Sequence, residues 1–121
     1  MTKLKLRILF DEAMLGPGKA ELLQGIAETG SISAAGRRME VSYKRAWMLV
    51  EEMNAAFRAP LVESVRGGPG GGGARLTDTG AEVLRRYRAV EAAALQAAEP
   101  EIAALEALLR PVAGPDMSDG K

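Results

Sequence analysis

The chain has 121 residues, enough for one domain with a buried core, and its 47% hydrophobic and 26% charged content is that of a globular protein. It contains no cysteine and no histidine. That excludes disulfides, thiolate chemistry and the usual zinc and imidazole-base sites, so neither a metal nor a cofactor is expected. Net charge is formally zero, yet residues 1–90 hold 14 Lys and Arg against 10 Asp and Glu, while residues 91–121 hold 2 against 6. A basic body with an acidic tail is compatible with a nucleic-acid partner, because phosphate contacts depend on local charge. No apolar run approaches the ~18 residues of a membrane span, and the start M-T-K-L-K-L-R lacks a signal-peptide core. A cytoplasmic protein without a membrane partner is the expectation.

Lys3 to Phe10 alternates, with Lys3, Lys5 and Arg7 on one face and Leu4, Leu6, Ile8 and Phe10 on the other. Period two predicts a half-buried strand that needs partners later in the chain. Asp11 to Gly18 reads as a turn region punctuated by Gly16-Pro17-Gly18. Lys19 to Thr29 carries Leu22, Leu23, Ile26 and Ala27 on one side, an amphipathic helix that Gly30 should stop.

Gly30 to Phe57 is the most informative stretch: a short helix, a tight turn and a longer helix. Ser31 or Ser33 can cap the first helix, because a serine oxygen accepts from an unpaired N–H of the first turn. Ala34, Ala35 and Gly36 are small and let a second helix pack closely across it. That second helix should begin at Ser42, with Tyr43, Lys44 and Arg45 in its first turn. Ala46, Leu49, Val50, Met53 and Phe57 recur at steps of three and four and mark its buried face. Lys44, Arg45 and Met48 fall away from that stripe, whereas Trp47 adjoins it and reads as core. One face in the core and a polar N-terminal end is what a helix-turn-helix needs to enter a DNA groove.

Pro60 ends the helical pattern, and Leu61–Val65 and Ala74–Thr77 read as two strands joined by a glycine-rich loop. Such a hairpin directly after a recognition helix is the wing of a winged helix, and the N-terminal strand is expected to pair with it. Arg66 and Arg75 flank the wing, within reach of phosphates. A nucleotide cradle is disfavoured, since no Gly-Lys-Ser/Thr follows the glycines.

Thr79-Gly80-Ala81-Glu82 has the pattern of a capping box and opens a long helical stretch. Leu84 and Tyr87 are expected to pack on the domain. Beyond them Leu95, Ala98, Ile102, Leu105 and Leu109 are spaced three and four apart, a heptad-like seam for dimerisation. A continuous helix from Thr79 to Leu109 would span about 46 Å, too long for one small domain to cover, so a second copy is the expected cover. Pro100 predicts a kink or break near Glu99. Residues 111–121 read as a disordered tail.

The run G-S-I-S-A-A-G-R-R-M-E-V-S-Y-K-R-A-W-M-L-V-E-E-M-N, then L-V-E, then the glycine-rich wing with Leu76-Thr77 and Gly80, resembles the N-terminal domain of the ModE family of molybdate-responsive transcriptional regulators. That domain is in turn similar to the LysR-type DNA-binding domain. The resemblance covers about residues 3–110. It implies a winged helix-turn-helix dimerised through long helices on palindromic promoter sites, with contacts from Ser42, Tyr43, Lys44, Arg45 and the wing around Arg66. Full-length members carry small β-barrel domains that bind molybdate or tungstate, and residues 111–121 offer no substitute, so the expectation is either a stand-alone relative or one that works with a separate effector-sensing protein.

The expected architecture is therefore mainly α with a small β-sheet (α+β): a winged helix-turn-helix over residues 1–78, a dimerisation helix over 79–110 and a tail over 111–121. The expected function is a homodimeric regulator on double-stranded promoter DNA, contacted by Ser33, Ser42, Tyr43, Lys44, Arg45, Met48, Arg66 and Arg75. The alternative is a winged-helix protein-interaction module with no operator of its own. An enzyme is disfavoured, because the carboxylates are scattered over helix surfaces without a paired constellation.

Overall fold

The computed structural model describes residues 2–66 and 73–111; residues 67–72 of the wing loop and 112–121 of the expected disordered tail fall outside them. The chain divides into two compact units, Met1–Glu91 and Ala92–Lys121. Its elements run β1 (Ile8–Leu9), β2 (Met14–Leu15), α1 (Pro17–Thr29), α2 (Ile32–Arg38), α3 (Tyr43–Ala56), β3 (Val62–Val65), β4 (Gly73–Leu76) and α4 (Asp78–Leu108). The fold is mainly helical with two separate two-stranded antiparallel sheets, β1 with β2 and β3 with β4.

The N-terminal expectation is corrected in two respects. The alternation does separate exposed Lys3, Lys5 and Arg7 from half-buried Leu4, Leu6 and Ile8, but Phe10, expected on the apolar face, is exposed. Only Ile8–Leu9 is strand, however, and its partner is the local β2, not the wing: Ile8 lies opposite Leu15 and Leu9 opposite Met14. The chain before Ile8 is held instead by α4, through the Tyr87 hydroxyl, which donates to the Leu6 carbonyl at 2.6 Å. Burial holds the Tyr87 phenol above its ordinary pKa, helped by the Glu91 carboxylate and opposed by Arg88.

α1 starts two residues earlier than expected, at Pro17, because proline suits the first helical position, where its missing N–H costs nothing. Gly30 ends it in the left-handed region at φ 72° and donates its N–H to the Ile26 carbonyl. Leu22, Leu23 and Ile26 of α1 meet Ile32 and Ala35 of α2 and Ala46, Leu49, Val50 and Met53 of α3 in the main core, closed by Leu61, Val62 and Ala74. A second cluster joins Leu15, Ala20 and Tyr87, flanked by Ile8, Val83 and Leu84. Small residues set the helix spacing. A Cβ on Gly25 would lie 2.9 Å from that of Ala35, and one on Gly36 would lie 3.1 Å from that of Ala46.

The start of α4 also departs from expectation. Thr77, not Thr79, is the cap: its hydroxyl accepts the Gly80 N–H at 3.0 Å and its carbonyl accepts the Ala81 N–H at 2.9 Å. Glu82 does not reach back but pairs with Arg86 at 2.9 Å. Thr77 is selected because its own N–H donates to the Leu61 carbonyl at 2.9 Å and its hydroxyl to the Pro60 carbonyl at 2.6 Å. Further along, α4 continues through Pro100 to Leu108, so the expected break does not occur. The missing proline N–H removes one ladder bond, and the turns on either side are rich in strong helix formers.

The two glycines at opposite ends of the first unit should respond oppositely to alanine. A Cβ at Gly80 would lie 2.0 Å from the Leu61 carbonyl oxygen, whereas nothing stands within 4 Å of one at Gly18. Urea denaturation should show Gly80→Ala losing about 1–3 kcal/mol to overpacking, and Gly18→Ala gaining about 0.4–1 kcal/mol from a stiffer unfolded chain.

Candidate nucleic-acid interface

α2 and α3 are set by their caps. Ser31, not Ser33, caps α2 by accepting the Ala34 N–H at 3.0 Å. The turn that follows places Glu40 in the left-handed region at φ 62°, where a non-glycine residue is uncommon. The Val41 N–H returns to the Gly36 carbonyl at 3.0 Å and closes the turn. Ser42 then caps α3, accepting the Arg45 N–H at 3.0 Å, and its hydroxyl proton stays available to a further acceptor.

With Ala46, Leu49, Val50 and Met53 buried, the remaining side of α3 faces solvent. Tyr43 is 57% exposed and Met48 42%, and Lys44 and Arg45 are exposed beside them. Neither the Lys44 nor the Arg45 side chain has a hydrogen bond or ion pair to another described residue. Trp47 packs on the rim of the core, half-buried. Its indole N–H donates to the Tyr43 hydroxyl, with the two rings edge-to-face at a centroid distance of 6.3 Å.

Three other arginines nearby are already engaged. Arg37 donates to the Ser33 hydroxyl at 2.9 Å, so Ser33 serves as a side-chain partner within α2. Arg38 pairs with Glu28 at 2.6 Å, and that bond, with a second from Gln24, holds the Glu28 carboxyl below its ordinary pKa. In the hairpin, Arg75 faces Glu63 across the ladder and pairs with it at 2.8 Å. An exposed pair of this kind is worth about 0–1 kcal/mol, so Arg75 is held loosely. Arg66 is exposed at the end of β3. Asn54 ties α3 to the hairpin, accepting the Leu61 and Val62 N–H groups at 2.8 and 3.1 Å and donating to the Val62 carbonyl at 3.2 Å. The start of α3 and the base of the wing are thereby held in one fixed frame.

The frame has relatives. Residues 18–81, more than half of the chain, match the family model of bacterial regulatory helix-turn-helix proteins, lysR family. The chain belongs to that family. Over 80 residues it is 46% identical to the molybdenum-pterin-binding protein MopB of Rhodobacter capsulatus, covering 66% of this chain and 30% of the relative. Over 71 residues it is 44% identical to the DNA-binding transcriptional dual regulator ModE of Escherichia coli K12, covering 59% of this chain and 27% of the relative. The chain thus spans under a third of the length of these relatives. Its fold is that of a crystal structure of the CbnR DBD–DNA complex, with a TM-score of 0.56 at 24% identity over 72% of this chain and 94% of that one. The resemblance to the ModE regulators over the N-terminal region therefore holds, and the family is one of regulators, not enzymes.

Two features escaped the sequence reading. The Tyr43–Trp47 bond was signalled only by two aromatics four residues apart, and the Ser33–Arg37 bond only by the same spacing. In the second unit, Leu95, Leu105 and Leu109 are exposed, Ala98 and Ile102 are partly so, and Leu109 lies one residue past the end of α4. Leu108, outside the expected seam, is 81% exposed.

The Arg38–Glu28 pair has a pH signature. A carboxyl whose folded pKa is depressed adds stability above its unfolded pKa and loses it as pH falls through the folded value. Arg38→Ala should let Glu28 titrate closer to an ordinary glutamate in a carboxyl-detected NMR titration, while Lys44→Ala leaves its curve unmoved.

Proposed function

We propose that this chain is a sequence-specific, DNA-binding transcriptional regulator acting as a cytoplasmic homodimer on promoter DNA. The observation that carries the reading is the first two turns of α3, where Lys44 and Arg45 stand exposed and unpaired among the described residues. A buried stripe on the opposite face and a serine cap hold them there. Basic side chains left without intramolecular partners keep their full charge for phosphates and guanine edges. On this reading, residues 1–78 bind DNA. Ser42, Tyr43, Lys44, Arg45 and Met48 enter the major groove, and Ser33, Arg66 and Arg75 grip the backbone. Arg75 must exchange Glu63 for a phosphate, at little cost for so exposed a pair.

Residues 79–110 form the dimerisation segment, through Leu95, Ala98, Ile102, Leu105 and Leu109. Two such protomers would read half-sites about 34 Å apart or a multiple of that. Kinship with ModE and Mop proteins supports regulation of molybdenum-related genes.

The test is to select duplexes from a randomised library with the purified protein and titrate the selected duplex by fluorescence anisotropy at two salt concentrations. A regulator prefers the selected duplex to a scrambled one and weakens steeply with salt; equal, shallow binding to both would indicate an interaction module instead. Arg45→Ala should weaken the specific complex by about 1–3 kcal/mol, the worth of a good base contact. Ile102→Lys should convert the dimer to monomer in sedimentation velocity and leave the fold of a single protomer intact by circular dichroism.

A further inference from the structure

The Tyr43–Trp47 pair at the front of α3 is not explained by core packing. Tyr43 is exposed, and Trp47 spends its single polar atom on the tyrosine, with no buried carbonyl as acceptor. An indole N–H only donates, so the Tyr43 oxygen must accept from it. The phenol proton then has to point elsewhere, and no described residue takes it. The edge-to-face contact of the two rings limits the directions that the phenol can adopt.

Tyr43 and Trp47 both line a groove of about 220 Å³ between α2, α3 and the hairpin, together with Ser31, Ser33, Ser64 and Ala74. Hydroxyls dominate its polar lining, and the Arg37 guanidinium is bonded to Ser33 on one side. Hydroxyl donors match the oxygens of a phosphodiester, which offers acceptors and carries no base identity.

We propose that Trp47 is a positioning residue that fixes the Tyr43 hydroxyl as a donor to one DNA backbone phosphate seated at this groove. The inference rests on the DNA-binding reading above and adds to it the polarity of one contact and the residue that sets it. It also separates the roles on α3: Lys44 and Arg45 meet DNA with charge, whereas Tyr43 fixes its register without charge.

The test is a double-mutant cycle on the selected duplex with Tyr43→Phe, Trp47→Phe and the double variant. Each single change should weaken binding about tenfold, the scale of one hydrogen bond to a charged acceptor. The double variant should be no weaker than Tyr43→Phe alone, because Trp47 acts only through the hydroxyl that is then gone. The salt slope should stay that of the unmodified protein, since a neutral donor displaces no counterion, whereas Lys44→Ala should flatten it by about 0.9.

Additive losses, or a Trp47→Phe variant that binds normally, would overturn the coupling. Trp47 touches the core rim, so a second measurement avoids that variant: replacing single phosphates by neutral methylphosphonates should abolish the Tyr43→Phe penalty at one position. A penalty abolished instead by a 7-deazapurine would assign the donor to a base and overturn the phosphate seat. If the unmodified protein selects no duplex at all, the DNA-binding reading itself fails, an outcome distinct from any of these.

Discussion

The backbone of Leu61 is the joint on which the first unit depends. Its N–H, with that of Val62, is taken by the Asn54 side-chain oxygen from the last turn of α3. Its carbonyl accepts the Thr77 N–H at the end of the hairpin, and Gly80 at the start of α4 lies so close that a methyl group cannot fit. The Leu61 side chain is fully buried in the main core. The end of α3, the end of the hairpin and the start of α4 therefore meet at the backbone of one buried residue. A buried backbone group without a partner costs about as much as a lost hydrogen bond, so the contacts stand or fall together.

That joint makes the α3 surface usable. A recognition surface must hold its side chains at a fixed angle to the wing, and both ends of α3 are tied down, by the Ser42 cap at one end and by Asn54 at the other. The basic side chains around this surface fall into two groups. Arg37, Arg38 and Arg75 have intramolecular partners, and Lys44, Arg45 and Arg66 have none among the described residues, the first two side by side on α3. Paired arginines on a surface contribute little stability and lower the local field. Lys44 and Arg45 concentrate it at the start of α3, so a protein with no net charge can still present a locally cationic surface.

The helix-turn-helix was legible because its signals are local. Ser42 ahead of an apolar stripe at steps of three and four carries both the cap and the buried face of α3 within one stretch of sequence. Where two equivalent residues stood two apart, local pattern could not choose between them. Ser31 and Ser33 are separated only by the arginine that occupies the Ser33 oxygen, and Thr77 and Thr79 only by the carbonyls of Pro60 and Leu61, far upstream. The partner of β1 was missed for a related reason: alternation reports which face is buried but not what pairs with the edge. Glu40 in a left-handed turn leaves no trace in the sequence, because glycine is the usual signal there. Most of the candidate site was readable as residue types, and its bonding pattern was not.

The second unit poses a different physical problem. Residues 92–108 of α4 carry Leu95, Leu105 and Leu108 exposed, with Ala98 and Ile102 only partly covered. Alanine, leucine and glutamate are strong helix formers, and their propensity offsets part of the cost of Pro100 in this helix. Its exposed leucines do require an explanation, because each buried CH₂ is worth about 0.8 kcal/mol. The acidic residues of this stretch, Glu99, Glu101 and Glu106, alternate with the apolar ones. Carboxylates spaced in this way flank the apolar residues with charge. A seam of residues at steps of three and four is a pattern that a second helix can cover, and association of that kind would satisfy the leucines left exposed among the described residues.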